Sequence, residues 1–200
     1  MMNWAEEKWL FLQKFVVNPK EIGSITPSSK SLAHRMLNEV EWDAVHCMGE
    51  LGAGTGAITA HLADIVVQKK DSVDRMNVFI FEKDKELRNR LIAAYPEFHV
   101  AEDALHLRTE ARRYNLAAYD CIISGLPFFN FSPLLRHQLM KEIYQSLRPG
   151  GQFIAFQYSL QMKRELSRYF EVEKIKFVAM NIPPACVYVC RKKRIKDDVC

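Results

Sequence analysis

The strongest constraint on the fold is an alternation, after residue 40, of short apolar segments with segments of helical length. The apolar segments are rich in β-branched and aromatic residues, and charged residues, Gly or Pro bound them. Such alternation predicts a parallel sheet with helices on both faces. The predicted strands are 44–51, 77–84, 99–104, 119–126, 151–159, 172–181 and 185–192, and the predicted helices are 56–68, 84–95, 132–147 and 160–169.

The last two predicted strands follow each other with only Pro183 and Pro184 between them, without a helix. A parallel pair needs a long crossover, so the last strand is predicted to enter the sheet antiparallel. Upstream, the run 148–151 (Arg-Pro-Gly-Gly) predicts a helix end followed by a turn. We therefore predict one α/β domain over 41–200, with seven mostly parallel strands, preceded by a helical extension over 1–40.

Composition excludes several classes of protein. The chain has 200 residues, is 48% hydrophobic and carries a formal charge of +4, which is typical of a globular domain. No apolar stretch approaches the ~20 residues that span a bilayer. Glu6, Glu7 and Lys8 interrupt the apolar residues at the N-terminus, so a secretory signal is not expected either.

Cysteine and histidine usage indicates a reducing compartment and no structural metal. The five cysteines include no C-x-x-C pair, and Cys47 and Cys121 lie inside apolar runs, as buried thiols do. The six histidines are scattered without the spacing of metal ligands. The one dense basic run, 191–196 (RKKRIK), would suit a polyanionic surface or a solvated tail.

A glycine-rich loop, 50–59 (ELGAGTGAIT), follows the first predicted strand and opens a helix. Gly52, Gly54 and Gly56 would let a ligand approach the backbone, although a tight strand-to-helix turn alone would also explain them. Their spacing differs from the dinucleotide pattern G-x-G-x-x-G. The preceding Glu50 would repel a pyrophosphate but suits an ammonium or sulfonium ligand.

Two more acidic residues stand at the carboxyl ends of the next strands. Glu82 is placed to bind both hydroxyls of a ribose, and Asp103 can accept a hydrogen bond from an adenine amino group. Each of them alone would more often be a solvated turn carboxylate. Carboxyl ends of parallel strands share the edge at which open α/β sheets bind ligands. Lys83, Ala104 and Ser124, at neighbouring positions, also belong to the predicted cofactor set.

The ordered set of Glu50, the glycines, Glu82 and Asp103 resembles the class I S-adenosylmethionine-dependent methyltransferases over residues 45–190. The resemblance implies a Rossmann-like α/β fold and S-adenosylmethionine as the cofactor. It also implies that these positions contact the cofactor.

The stretch 124–128 (SGLPF) ends the fourth predicted strand and should face the methyl donor. It resembles the N-L-P-Y motif of ribosomal RNA adenine dimethyltransferases, but Gly125 replaces the Asn and offers only a backbone carbonyl. An aliphatic amine that becomes a quaternary ammonium would instead be held by aromatic faces. Plain packing is the alternative for these side chains. The predicted substrate-binding residues are Pro127, Phe128, Phe129 and Phe131, with Tyr158 from the fifth strand beside them.

The first 17 residues form a predicted amphipathic helix. Trp4, Trp9, Phe11 and Phe15 share one face, while acidic and amide side chains occupy the other. Such a face suits shallow insertion at a membrane interface, and it equally suits packing against the domain itself.

Three motifs together resemble the bacterial phospholipid N-methyltransferases, which convert phosphatidylethanolamine stepwise to phosphatidylcholine. They are F-x-x-N-P-K-x-I-G-S-I-T-P-S-S-x-x-L-A at 15–33, S-G-L-P-F at 124–128 and N-I-P-P-A-x-V-Y at 181–188. By implication Ile25, Thr26, Ser28 and Ser29 form a lid over the cofactor. The hydroxyls of Thr26, Ser28 and Ser29 could bind the donor's carboxylate, although capping of a helix near Ser29 would also explain them. The resemblance further implies a cytoplasmic enzyme that binds peripherally to membrane lipid through its N-terminal helix.

The chemistry expected from this resemblance is methyl transfer to a positioned, unprotonated amine. Gly125 would make room for a phosphoethanolamine head group, and the carbonyls of Gly125 and Leu126 would direct the amine. Tyr158 is the candidate for orienting the amine or relaying its proton. Two alternatives remain open from the sequence: an RNA adenine N6-methyltransferase that flips its base, and a non-catalytic cofactor-binding module. The sequence predicts no oligomeric state.

Overall fold

The computed structural model describes residues 27–68, 76–179 and 184–193. These residues build one seven-stranded sheet in the order β3-β2-β1-β4-β5-β7-β6. The strands are β1 Cys47–Leu51, β2 Asn77–Phe81, β3 His99–Ala101, β4 Tyr119–Ser124, β5 Leu147–Gln157, β6 Glu171–Val178 and β7 Ala185–Arg191.

Helices cover both faces of the sheet, and their starts follow ordinary capping chemistry. Asp84 accepts a hydrogen bond from Leu87 N at one start, and Ser132 accepts one from Leu135 N ahead of Pro133 at another. The helices are α1 Pro27–Leu37, α2 Ala57–Gln68, α3 Lys85–Ala94, α4 Leu107–Arg113, α5 Pro133–Ser146 and α6 Met162–Tyr169. Short 3-10 turns occur at Trp42–Ala44, Ala104–His106 and Phe128–Asn130.

The predicted sheet is confirmed, including its antiparallel last strand. β1 to β5 pair parallel, whereas β7 runs antiparallel to both β5 and β6. The turn predicted at 148–151 is wrong, because those residues belong to β5. Gly150 adopts a positive φ of 76° within the strand, and Gly150 and Gly151 exchange backbone hydrogen bonds with Lys192 after β7. The sequence prediction also missed α4.

The core has one apolar layer on each face of the sheet. One layer joins α1, α2 and α3 to the strands, and Met36, Leu62 and Leu91 are fully or almost fully buried in it. The other joins α4, α5 and α6 through residues such as Leu107 and Ile143. Both predicted thiols, Cys47 and Cys121, are buried, as expected for strands covered on both sides. Trp4, Trp9, Phe11 and Phe15 lie outside the described residues.

Parallel pairing brings the strand ends to one edge. Leu51, the last residue of β1, is in register with the last residues of both its neighbours, Phe81 and Ser124. The loops that follow these strands therefore meet, and this carboxyl edge collects the predicted site. In the described part of the chain, no helix has both the length and the apolar character needed to cross a bilayer.

Asp120 joins three strands at the opposite, amino edge, and we predict that Asp120→Ala lowers the free energy of unfolding by about 2–4 kcal/mol. Its carboxylate accepts hydrogen bonds from the backbone N–H groups of His46 and Cys47 and pairs with Arg148. Removing it leaves these donors without their partner. Urea denaturation measures the loss.

The matched control is Arg168→Ala, which breaks the exposed Arg168–Glu165 pair on α6. That variant should lose less than about 1 kcal/mol. Equal losses in the two variants would contradict the structural role of Asp120.

Candidate active site

The glycine loop leaves its backbone open at the carboxyl edge. Gly52, Gly54 and Gly56 all have positive φ, at 70°, 58° and 86°. A side chain at Gly54 would meet no heavy atom within 4 Å, so its backbone conformation, and not crowding, favours glycine there. Gly52 N donates to the Phe81 carbonyl at 2.8 Å, which fixes the loop to β2. A ligand can therefore approach this backbone closely.

Glu50 is buried beneath the glycine loop with one oxygen unpartnered. Its Oε2 accepts from the Thr59 hydroxyl at 2.8 Å, while Oε1 has no hydrogen-bond partner among the described residues. Burial raises the pKa of this carboxyl to about 7, and the nearby Glu82 carboxylate adds to the rise. A buried acceptor of this kind matches a ligand that brings its own positive charge.

Glu82 holds the glycine loop through its side chain. One carboxylate oxygen accepts from Gly54 N at 2.7 Å and the other from Asp84 N at 2.9 Å. Each oxygen keeps a further lone pair, so this half-buried carboxylate can also accept from ligand hydroxyls. The ribose contact predicted for Glu82 is thus compatible with its structural role.

Asp103 and Lys83 lie on the loops after β3 and β2. Asp103 Oδ1 caps the following 3-10 turn by accepting from Leu105 N at 2.9 Å, which leaves Oδ2 for a ligand donor. Ala104 is buried next to it. Lys83 is exposed, and its carbonyl accepts from Arg88. The edge therefore brings together the acidic part of the predicted cofactor set.

The loops after β1 and β4 interlock through two glycines. A Cβ on Gly125 would lie 3.0 Å from the Gly52 carbonyl oxygen, and a Cβ on Gly52 would lie 2.8 Å from Leu126 Cδ2. Gly125 N also donates to the Leu51 carbonyl at 2.8 Å. The expected room for a head group beside Gly125 is therefore wrong, because the Gly52 backbone fills it.

A glutamine that the sequence analysis missed fixes the loop after β4, residues 125–131, which we call the acceptor loop. Gln157, at the end of β5, is buried and donates to the Leu126 carbonyl at 2.9 Å. The Ser124 hydroxyl, also buried, accepts from Leu126 N at 3.2 Å. Phe128 N also donates to the Leu126 carbonyl, at 2.9 Å, so both lone pairs of this oxygen are engaged within the protein. The prediction that the Leu126 carbonyl directs the amine is therefore wrong. A polar residue ending an otherwise apolar strand was the signal available in the sequence.

The three phenylalanines of the acceptor loop have different environments. Phe128 is fully buried and packs edge-on against Phe131 and Phe153 in the core. Its predicted contact with substrate is therefore wrong, and core packing explains it. Phe131 is partly buried on top of it, whereas Phe129 is 52% exposed with the Arg136 guanidinium 5.8 Å from its ring. Phe129 is the most exposed of the three and is free to meet a ligand.

Tyr158 follows β5 at the same edge and is 43% exposed. Its ring contacts Phe156 edge-on, with the centroids 5.6 Å apart, and Phe156 in turn lies against Gly125. Partial burial raises the pKa of the Tyr158 phenol above its ordinary value. The hydroxyl therefore stays protonated at neutral pH, where it can donate or accept a hydrogen bond.

Of the remaining predicted residues, only some lie in the part of the chain that the structure describes. Thr26 and the predicted helix before it lie outside the described residues, and Ser28 and Ser29 belong to the first turn of α1. Their lid role stays a prediction. The start of the basic run is engaged inside the protein: Arg191 pairs with Glu41 and Glu173, and Lys192 donates to the Leu147 carbonyl.

Comparison with known proteins identifies the class to which this fold and site belong. Residues 49–155 match the family model described as a methyltransferase domain. An ornithine lipid N-methyltransferase from Singulisphaera acidiphila is 32% identical over 189 residues, which are 92% of this chain and 95% of that protein. The chain therefore belongs to the S-adenosylmethionine-dependent methyltransferases, and within them it is similar over almost its whole length to a lipid N-methyltransferase.

Solved structures share the fold at low sequence identity. The N-methyltransferase NodS from Bradyrhizobium japonicum, in complex with S-adenosylhomocysteine, has a TM-score of 0.64 at 13% identity and covers 92% of this chain and 97% of its own. A Burkholderia thailandensis 1,6-didemethyltoxoflavin-N1-methyltransferase, also with S-adenosylhomocysteine, has a TM-score of 0.61 at 14% identity, covering 96% and 92%. At this level of identity the two neighbours show a shared fold, and both were solved with S-adenosylhomocysteine bound.

The residues at the edge fit S-adenosylmethionine, the methyl donor of this family. The unpartnered Glu50 Oε1 matches the donor's ammonium, and the open backbone at Gly54 admits its close approach. Glu82 would hold the ribose hydroxyls and Asp103 the adenine amino group. These residue assignments remain predictions, since they rest on the chemistry of the side chains.

We predict that Glu50→Gln weakens donor binding by at least about tenfold at pH 8, because the buried anion that meets the ammonium is lost. The pKa of Glu50 is about 7 without ligand, so the wild-type carboxyl is mostly protonated at pH 6. Its affinity should therefore fall from pH 8 to pH 6, while the variant's affinity stays flat. Isothermal titration calorimetry at both pH values measures this.

Glu97→Gln is the matched control, because Glu97 is exposed outside the glycine loop. It should bind the donor like the wild type at both pH values. A Glu50→Gln variant whose affinity still fell between pH 8 and pH 6 would show that another group titrates.

Proposed function

We propose that this enzyme transfers methyl groups to the primary amine of a membrane lipid head group. Phosphatidylethanolamine, predicted from the sequence motifs, and ornithine lipid, named for the relative, are the two candidate acceptors. In both lipids the amine lies a few bonds from an anionic group at the bilayer surface. The enzyme would therefore work peripherally at a membrane.

The observation that carries the proposal is the 32% identity to a lipid N-methyltransferase over 92% of the chain. The alignment therefore covers both β1 to β3, whose ends carry the predicted cofactor-binding residues, and the loops after β4 and β5, which carry the predicted acceptor residues. The solved neighbours, at 10–18% identity, share the fold alone and do not discriminate between classes of acceptor.

The acceptor loop supports an aliphatic amine. Gly125 offers no side-chain acceptor, and the Gly52 carbonyl at 3.0 Å from its missing Cβ disfavours the Asn that adenine methyltransferases use. Phe129 and Tyr158 are the exposed aromatic rings beside it. An ammonium that loses its N–H groups with each methylation needs such ring faces more than hydrogen-bond acceptors.

When bound, S-adenosylmethionine supplies an electrophilic methyl group on a sulfonium. The protein contributes by positioning the acceptor amine. The loops after β1 and β4 hold the Gly125 carbonyl in place, and the hydrogen bond from Gln157 fixes Leu126 beside it. The Tyr158 hydroxyl, which remains protonated, can accept a hydrogen bond from the amine and direct its lone pair. The amine's proton leaves to solvent through the exposed side of this ring.

Ion pairs at the end of β7 weaken the case for the alternative function, an RNA adenine N6-methyltransferase. Arg191 is bound by Glu41 and Glu173, and Lys192 lies 4.7 Å from the centre of the Tyr144 ring. These two cations at the start of the basic run are thus held by the protein itself and contribute less to a phosphate backbone.

The direct test is methyl transfer from radiolabelled S-adenosylmethionine to three acceptors in parallel. They are vesicles with phosphatidylethanolamine, vesicles with ornithine lipid, and total RNA from the same host. Label in either lipid supports the proposal, and the ratio of the two identifies the acceptor. Label in RNA alone, with both lipids unlabelled, would refute it.

Tyr158→Phe should lower kcat on the preferred lipid by about 10²-fold or more without changing donor affinity, because only the acceptor's orientation is lost. Tyr114→Phe is the matched control, since Tyr114 is similarly exposed but follows α4 at the amino edge. Unchanged turnover in Tyr158→Phe would remove this tyrosine from the mechanism.

A further inference from the structure

Exposed apolar side chains concentrate on one part of the carboxyl edge. We call this part the β4–β6 edge and define it as segments 125–137, 158–164 and 177–179, which follow or end β4, β5 and β6. Among the described residues, eight large apolar side chains are exposed, and five of them lie here. They are Phe129, Leu134, Tyr158, Leu160 and Phe177.

The other three exposed apolar side chains lie at the opposite edge. Val67 and Ile92 are near the ends of α2 and α3, and Tyr114 follows the end of α4. Each of these helices runs back from the carboxyl edge, so the three residues are spread along the amino edge. A soluble surface carries scattered apolar residues of this kind, whereas a cluster indicates a binding surface.

Charge also divides the carboxyl edge. The three segments of the β4–β6 edge contain no Asp or Glu but carry Arg136, His137, Lys163 and Arg164. The donor half, after β2 and β3, holds five acidic residues within 82–86 and 102–103. A surface that is apolar, basic and free of carboxylates complements an anionic lipid bilayer.

A cavity of about 310 Å³ opens beside Phe177, between α1 and the end of β6. Ser31, His34 and Arg35 line it from the helix, and Asn38 lines it just after the helix ends. The Arg35 guanidinium supplies a positive charge, and the neighbouring hydroxyl and amide groups can donate hydrogen bonds. This combination suits a phosphate head group at the level of a bilayer surface.

We propose that the β4–β6 edge docks on anionic phospholipid bilayers, with Leu134, Leu160 and Phe177 in the interface and a lipid phosphate in the Arg35 cavity. This inference rests on the proposed function, because the edge also carries Phe129 and Tyr158 at the acceptor loop. An amine head group could then reach the methyl donor without leaving the membrane. None of its segments belongs to the predicted N-terminal helix, residues 1–17.

The test is sedimentation of the full chain with vesicles of phosphatidylglycerol and phosphatidylcholine, which contain no amine acceptor. Leu134→Ser/Leu160→Ser should weaken binding by about tenfold or more, because two exposed leucines leave the interface. The matched control, Val67→Ser/Ile92→Ser, removes as many exposed apolar side chains from the amino edge and should change binding less than twofold.

Arg35→Gln should weaken binding to these anionic vesicles by roughly fivefold, with a smaller loss on pure phosphatidylcholine, whose phosphate charge the choline offsets. Donor affinity and thermal unfolding of each variant show whether it is folded. Should the double leucine variant fail to fold, Phe177→Ser alone tests the same surface, with about threefold weaker binding expected.

Two results would overturn the docking surface: wild-type binding by the leucine and Phe177 variants, or an equal loss in the Val67/Ile92 control. Because these vesicles contain no acceptor, the assay is independent of methyl transfer. Failure of lipid methylation with intact vesicle binding would refute the proposed function alone, whereas methylation of detergent-dispersed lipid with unchanged variant binding would refute the docking surface alone.

Discussion

The contact between the loops after β1 and β4 is the constraint on which the rest of the site depends. A Cβ at position 125 would lie only 3.0 Å from the Gly52 carbonyl oxygen, so any residue larger than glycine there would displace one of the two loops. The register of Leu51 with Ser124 brings these loops together, and the Gly125 N–H to Leu51 hydrogen bond fixes them. Donor loop and acceptor loop therefore form one rigid unit. Such a unit is what methyl transfer by positioning requires.

Charge divides the same edge into two halves, which the proposed function assigns to the methyl donor and to the methyl acceptor. On the donor side, a buried carboxylate with an unpartnered oxygen, Glu50, lies under an open glycine backbone whose conformation Glu82 maintains. On the acceptor side the described loops carry exposed aromatic and aliphatic residues and no carboxylates. A cationic donor and a lipid amine would thus be drawn to adjacent but different surroundings. The boundary between the halves is the pair Gly52 and Gly125.

The sequence predicted the sheet and the gathering of Glu50, Glu82 and Asp103 at one edge, because both depend on local patterns. Alternating strand and helix segments indicated the doubly wound sheet, and the acids at strand ends indicated the edge. The 148–151 segment was mistaken for a turn because its Pro and Gly residues are turn formers. In the structure the antiparallel β7 supplies partners for Gly150 and Gly151, and this long-range pairing is invisible locally.

The acceptor half was predicted less well, because it depends on contacts between distant segments. Phe128 and Phe129 are neighbours of identical chemistry, yet one is buried in the core and the other is exposed. The 3-10 turn that begins at Phe128 directs the two consecutive side chains differently, one into the core and one to the surface. Gln157 was missed because its partner, Leu126, is 31 residues away. The reason for glycine at 125 likewise lies in a different loop.

A crystal structure with S-adenosylhomocysteine and a short-chain lipid amine would test the central claim most directly. The distances to measure run from Glu50 Oε1 to the ligand ammonium and from the lipid amine to the Gly125 carbonyl and Tyr158 hydroxyl. Hydrogen-bond distances at Glu50 and at either acceptor-side atom are the predicted result. A lipid amine bound away from Gly125 and Tyr158, or a Glu50 Oε1 facing no ligand atom, would contradict the account.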